Sequence, residues 1–128
     1  MNQKEIRWKQ RFENFEKSYL LLRQSLDIKK PSVVERAGII QFFEITFELS
    51  WKLLKDYLEN QNVEAKFPCD VIKEAFHYEI IQNGDAWMAM LGTVHTYDET
   101  KAAEIESKIR NAFFPAISNM YRLMKDKT

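Results

Sequence analysis

The chain has 128 residues, a length that suits one domain and allows about two-thirds of the unfolded surface to be buried. Nineteen Lys plus Arg balance nineteen Asp plus Glu, so the formal net charge is zero. That balance excludes the broad electrostatic attraction that draws general nucleic-acid binders and membrane-surface proteins to their targets, and it favours self-association or a partner.

The N-terminal MNQKEIRWKQ has no apolar run, so no signal peptide is expected, and no uncharged run approaches the length of a membrane span. The first helix is predicted over Lys4–Leu26, where Trp8, Phe12, Phe15, Tyr19, Leu22 and Leu26 step by four and three residues. This two-per-heptad seam suits packing along an antiparallel neighbour. The connection DIKKPS follows, with Ser32 as the N-cap of the next helix.

The second helix carries the strongest pattern in the chain, over Ile39–Leu58 and beginning as early as Val33. Its polar residues, Gln41, Glu44, Glu48, Lys52, Lys55 and Glu59, form one narrow stripe. The apolar remainder, including Phe42, Phe47, Trp51 and Leu54, covers roughly 200° of the circumference at about 100° per residue. A surface helix needs an apolar arc of only about 100°, so cover from several helices or from another chain is expected. A homodimer is the reading that follows. Thr46 and Ser50, on the covered face, are expected to bond back to helix carbonyls.

The turn Asn60–Asn62 and the linker VEAKF lead to Pro68, the first position of a third helix predicted over Cys69–Gln82. Val71, Ile72, Ala75, Phe76 and Ile80 are its expected core face, Asp70 suits its N-terminal dipole, and Asn83-Gly84 is expected to end it with a positive φ. Asp85 is the expected cap of a short fourth helix, AWMAML, which Gly92 ends. A fifth helix starts near Glu99, capped by Asp98 or by a Thr96–Glu99 capping box. Its core positions are Ala102, Ile105, Ile109, Ala112, Phe113, Ala116, Ile117, Met120 and Leu123 or Met124. Pro115 is expected to kink it, because the periodicity resumes beyond. The fold class is therefore all-α, a single domain over residues 1–128 built as an up-and-down antiparallel bundle of four to five helices.

Chemistry-bearing residues are few. His77, His95 and Cys69 form neither a His-Glu-x-x-His nor a Cys-x-x-Cys spacing, and there is no Gly-rich phosphate loop or Gly-x-Ser-x-Gly. No metal and no cofactor are expected. The lone Cys69 excludes an internal disulfide and fits a reducing, cytoplasmic setting. His77 reads as a helix-surface or core-edge residue. The one stretch with functional character is Gly92-Thr-Val-His-Thr-Tyr-Asp98. A histidine in a polar loop can act as acid or base near neutral pH. The structural alternative has Thr96 and Asp98 capping the fifth helix while His95 and Tyr97 pack against neighbours. A third reading places a nucleotide or small substrate beside Trp87 and His95, with the indole stacking on a base.

Four segments, RWKQRFENFEKSYLLL, FEITFELSWKLLKDYL, DVIKEAF and AWMAMLGTVHTYDE, resemble the nucleotidyltransferase substrate-binding proteins of the HEPN-like, HepT-like toxin superfamily. The resemblance spans nearly the whole chain. It implies a helical bundle that dimerises and associates with a minimal nucleotidyltransferase of the polymerase-β type. It also implies a toxin–antitoxin context, since related HEPN toxins are metal-independent ribonucleases with a motif of Arg, four residues, His, one residue, Tyr. Carried over, His95 and Tyr97 are the catalytic candidates, and Tyr97 is the candidate AMP acceptor. The arginine position is Met90, whose thioether cannot stabilise a phosphate anion. The resemblance thus implies a non-catalytic interaction subunit, or alternatively a ribonuclease acting on RNA whose cation comes from a residue such as Arg110 or from the second subunit.

Overall fold

The computed structural model describes residues 2–128. Asn2 starts the first helix by accepting the Glu5 amide at 2.8 Å, and α1 runs Gln3–Ser25. Ser32 and Glu35 form a reciprocal capping box, with the Glu35 amide 3.1 Å from Ser32 Oγ and the Ser32 amide 2.8 Å from Glu35 Oε1. It starts α2, Val33–Asn60. Next come α3 (Pro68–His77) and α4 (Gly84–Thr93). After a 3₁₀ turn, Glu99–Lys101, the last helix α5 runs on through Ala102–Lys108, a π turn Ile109–Phe113, and Phe114–Lys127. The described residues form no strand.

The seam of α1 lies against α2 in antiparallel register. Ion pairs Arg7–Glu59 and Arg11–Asp56 mark one end, and a 2.6 Å hydroxyl contact between Ser18 and Thr46 marks the middle. Trp8, Phe12, Phe15, Tyr19, Leu22 and Leu26 are all buried there, each such side chain stabilising the fold by about 1.5–3 kcal/mol. Thr46 and Ser50 donate to the carbonyls of Phe42 and Thr46, four residues back. The last helix runs parallel to α2, with Arg36 on Glu106 and Phe43 stacked on Phe113 at 5.2 Å. It meets α1 through Tyr19, whose hydroxyl donates to Ser118 and whose ring stacks on Tyr121 at 4.2 Å. The short α3 and α4 cover the remaining side of α2, where Phe47 meets Trp87.

Much of the wide apolar arc of α2 is thus covered from within the chain. Phe47 and Leu54 are sealed, while Phe42, Leu49 and Trp51 are only half-buried, and Ile45 and Val34 remain 43% and 81% exposed. The uncovered remainder is a stripe rather than a hemisphere.

Three local expectations give way to different solutions. The third helix stops at His77, five residues before Gln82, because Glu79 takes a left-handed φ of 61°. The Ile80 and Glu79 amides then close onto the carbonyls of Ala75 and Phe76, a Schellman termination. Asn62, with φ 63°, ends α2 in the same way. Asparagine takes that conformation readily, whereas in a glutamate it costs about 1–2 kcal/mol. Second, Gly84 has no positive φ; it opens α4, and Asn83 rather than Asp85 caps it by accepting the Ala86 amide at 3.1 Å. A Cβ there would lie 3.1 Å from the Phe76 ring, which would have to give by a few tenths of an ångström. That ring is 52% exposed rather than in the core. Nor does Gly92 end α4, which continues to Thr93. Third, the helix absorbs Pro115 with the π turn that precedes it. Within that turn Ala112 faces solvent and Phe113 takes the inward position.

Candidate functional site

The loop between α4 and α5 is built from a turn that its own sequence disfavours. Val94 has φ −59° and ψ 142°, His95 has φ 67°, and the Thr96 amide donates to the Thr93 carbonyl at 3.1 Å. This is a type II turn with histidine at the position that normally calls for glycine or asparagine. Non-glycine residues held in such a conformation concentrate at functional sites. Two groups hold the turn. The Thr96 hydroxyl donates to the Thr93 carbonyl, and the His95 amide donates to Glu44 Oε2 at 2.6 Å, from the middle of α2. Asp98 then starts the 3₁₀ turn by accepting the Thr100 hydroxyl and amide, at 2.6 and 2.8 Å. Those two bonds hold its carboxyl below the usual range.

His95 and Tyr97 share this exposed loop. The structure does not bring the other candidates to it. Met90 is fully buried, its thioether packed in the core. Trp87 is 1% exposed and lies 6.2 Å from Phe47, so its ring has no open face for a base. Arg110 is committed elsewhere. It donates to Glu106 Oε2 at 2.8 Å and, with its two terminal nitrogens, to the carbonyls of Leu26 and Ile28. It straps down the α1–α2 connection and supplies no cation to His95. Burial raises the Glu106 carboxyl, but the hydrogen bonds from Arg36 and Arg110 outweigh it and hold the group below its ordinary value.

Carboxylates stand near His95 on α2 and in the loop, with Lys52 paired to Glu48 and Lys101 beside Asp98. Glu44 holds the turn, Glu48 accepts the Trp51 indole N–H at 3.1 Å one turn along α2, and Asp98 and Glu99 follow in the loop. Glu44 is the site residue that the sequence did not single out. It belongs to the polar stripe of α2, and nothing local ties it to a loop 51 residues away. His77 is exposed, with its ring edge-on to Tyr78. Cys69 is half-buried in the first turn of α3. Among the described residues no three His, Cys, Asp or Glu side chains converge as metal ligands, and no helix is long and apolar enough to cross a membrane.

A helical bundle of this form, with His95 and Tyr97 exposed in the loop between its fourth and fifth helices, has known relatives. The chain belongs to the family described as "Nucleotidyltransferase substrate binding protein like", whose profile matches residues 10–126. It is 33% identical over 92 residues to a protein of Haemophilus influenzae (strain Rd) named "Probable ribonuclease HepT". That match covers 62% of this chain and 63% of the relative. A crystal structure of a Thermus thermophilus protein superimposes with a TM-score of 0.66 at 33% identity, covering 87% of this chain and 92% of the other.

Proposed function

We propose that the protein is a non-catalytic subunit of a two-component nucleotidyltransferase system, acting in the cytoplasm as a homodimer that engages a minimal nucleotidyltransferase of the polymerase-β type. The observation that carries this reading is the burial of Met90. At the position where an arginine would hold a scissile phosphate stands an apolar side chain inside the core. A preorganised donor at such a position is worth about 3–4 kcal/mol of transition-state stabilisation, and the carboxylates of Glu44, Asp98 and Glu99 oppose an incoming phosphate. The family assignment supports the partner, and the half-open stripe of Phe42, Ile45 and Leu49 supports the second copy. Co-expression with a minimal nucleotidyltransferase of the polymerase-β type, followed by affinity capture and sedimentation, tests it. A strictly monomeric chain at micromolar concentration that fails to retain that partner overturns it.

A ribonuclease is the second reading. Its support is the strained, exposed His95 beside exposed Tyr97, and the name of the Haemophilus relative. In it His95 moves a proton on the RNA 2′-hydroxyl, the dimer mate supplies the cation, and Tyr97 is the residue that AMP transfer would silence. Cleavage of RNA by the wild-type dimer and its loss in His95→Ala decide for this reading; equal inertness of both excludes it.

A further inference from the structure

A second site lies at the other end of α2, about 21 Å along the helix from Glu44 to Leu58 at 1.5 Å per residue. The C-terminal ends of α2, α3 and α5 converge there on a cavity of about 380 Å³. Tyr57, Tyr78, Gln61, Asn62, Glu79 and Lys127 are among the residues that line it.

Four observations fix the chemistry it takes. Each helix C-terminus carries a partial charge of about −0.5; α2 has no basic residue in its last turn, α3 has His77, and α5 has Lys127 and Lys125, the latter paired with Glu16 at 2.9 Å. Glu79 adds a full negative charge from a left-handed backbone position that a glycine would fill without strain. Among the described residues Glu79 and Lys127 take part in no ion pair, with each other or with anything else. Finally, the Lys127 Nζ stands 5.6 Å from the centre of the Tyr57 ring, in cation–π geometry. One alkylammonium, supplied by the chain itself, therefore already occupies the aromatic face, and the Glu79 carboxylate and the helix C-termini are the charges that favour a cation over a phosphate or carboxylate here.

We propose that this cavity binds a small linear alkylamine dication of the diamine or polyamine class. One ammonium displaces Lys127 from Tyr57, the other pairs with Glu79, and Tyr78 covers the methylene chain. Lys127 is the occupant of the empty site and competes with the ligand.

Calorimetric titration with putrescine tests this, with 1,4-butanediol as the uncharged isostere and AMP as the anionic probe. Putrescine is expected to bind with a Kd on the order of 0.1–1 mM, more weakly as salt rises, and the two controls are expected to give no heat. Lys127→Met vacates the ring and strengthens putrescine binding. Glu79→Gly is the sharper variant, because it removes the carboxylate and the backbone strain together. It should raise Tm by about 3 °C while weakening putrescine about ten-fold or more, which a purely structural Glu79 would not do. No heat from putrescine at 10 mM, ligand at ~10 Kd or more for the expected range, overturns the proposal. So does unchanged putrescine affinity in Glu79→Gly, or AMP binding that depends on Lys127.

Discussion

The carboxylate of Glu44 accepts the backbone amide of His95 at 2.6 Å, across 51 residues of sequence. The bond is charge-assisted, and it commits a side chain of α2 to holding one backbone N–H of a turn whose φ of 67° is uncommon for any residue but glycine. Glu44→Ala should lower stability by about 1 kcal/mol and speed amide exchange at His95 by about ten-fold or more, with the rest of α2 unaffected. His95→Gly should do the opposite to stability, raising it by about 1 kcal/mol. If exchange at His95 is already fast in the wild type, the tether has no role.

Met90→Arg is the substitution that would complete the HEPN motif on paper. Because residue 90 points into the core, a guanidinium there would be buried without a partner. We expect a loss of about 3–5 kcal/mol, read as a collapse of the urea midpoint, and no gain of RNA cleavage. A folded variant that cuts RNA would show that α4 can rotate its face outward.

Acid sensitivity should come from two carboxylates. Glu106, held by Arg36 and Arg110, and Glu16, held by Tyr121 and Lys125, both have folded pKa values below the ordinary 4.5. Each therefore binds its proton more readily when unfolded. Their contribution is complete above pH 4.5 and disappears as pH falls through the folded values. Glu106→Gln should flatten the acid limb of a stability–pH curve and cost about 2 kcal/mol at pH 7, less than a fully buried pair because both arginines are partly exposed.

The alkaline limb belongs to Tyr121. Its hydrogen bond to Glu16, helped by burial, pushes the phenol up to about 12 from 10.0. The folded state keeps the proton that the unfolded state releases. The stabilisation is full below pH 10 and is lost between pH 10 and 12. Tyr121→Phe should remove that dependence, costing about 1 kcal/mol at neutral pH. Spectrophotometric titration of the phenols would show whether one of the five tyrosines ionises late.

Ile45 lies at the centre of the open stripe of α2 and is 43% exposed. In an isolated chain, Ile45→Glu should change stability by no more than about 0.5 kcal/mol. If the stripe receives a second copy, the same change should convert a dimer to a monomer in sedimentation. A wild-type dimer that survives the substitution would place the contact elsewhere.

The helices were legible wherever period alone decides. The α1 seam names six residues, and all six are buried. The N-cap at Ser32 and the back-bonding of Thr46 were equally local. The misses fall where a distant group or a strained backbone overrides the pattern. Glu79 stops α3 although glutamate is a good helix former, and Phe76, apolar and in phase, lies over Gly84 instead of entering the core. At the candidate site, that His95 and Tyr97 stand in one exposed loop could be read from the sequence. The burial of Met90 and Trp87 could not, because AWMAML is apolar on every side and gives no phase. Glu44 could not be found either, since its partner is a backbone amide and backbone amides leave no mark in a sequence.

The π turn at Ile109–Phe113 has a bearing on how this chain can evolve. One additional residue there advances everything beyond it by roughly 100°, so the two halves of the last helix are phased separately. Ile105 and Ile109 before the offset and Ile117, Met120 and Met124 beyond it all reach the same core. Replacing Pro115 leaves the offset in place. Deleting a single residue between 109 and 113 would remove the extra residue and leave Ile105, Ile109, Ile117, Met120 and Met124 on one stripe of an unbroken α-helix, so this short stretch can lose one residue far more easily than gain another.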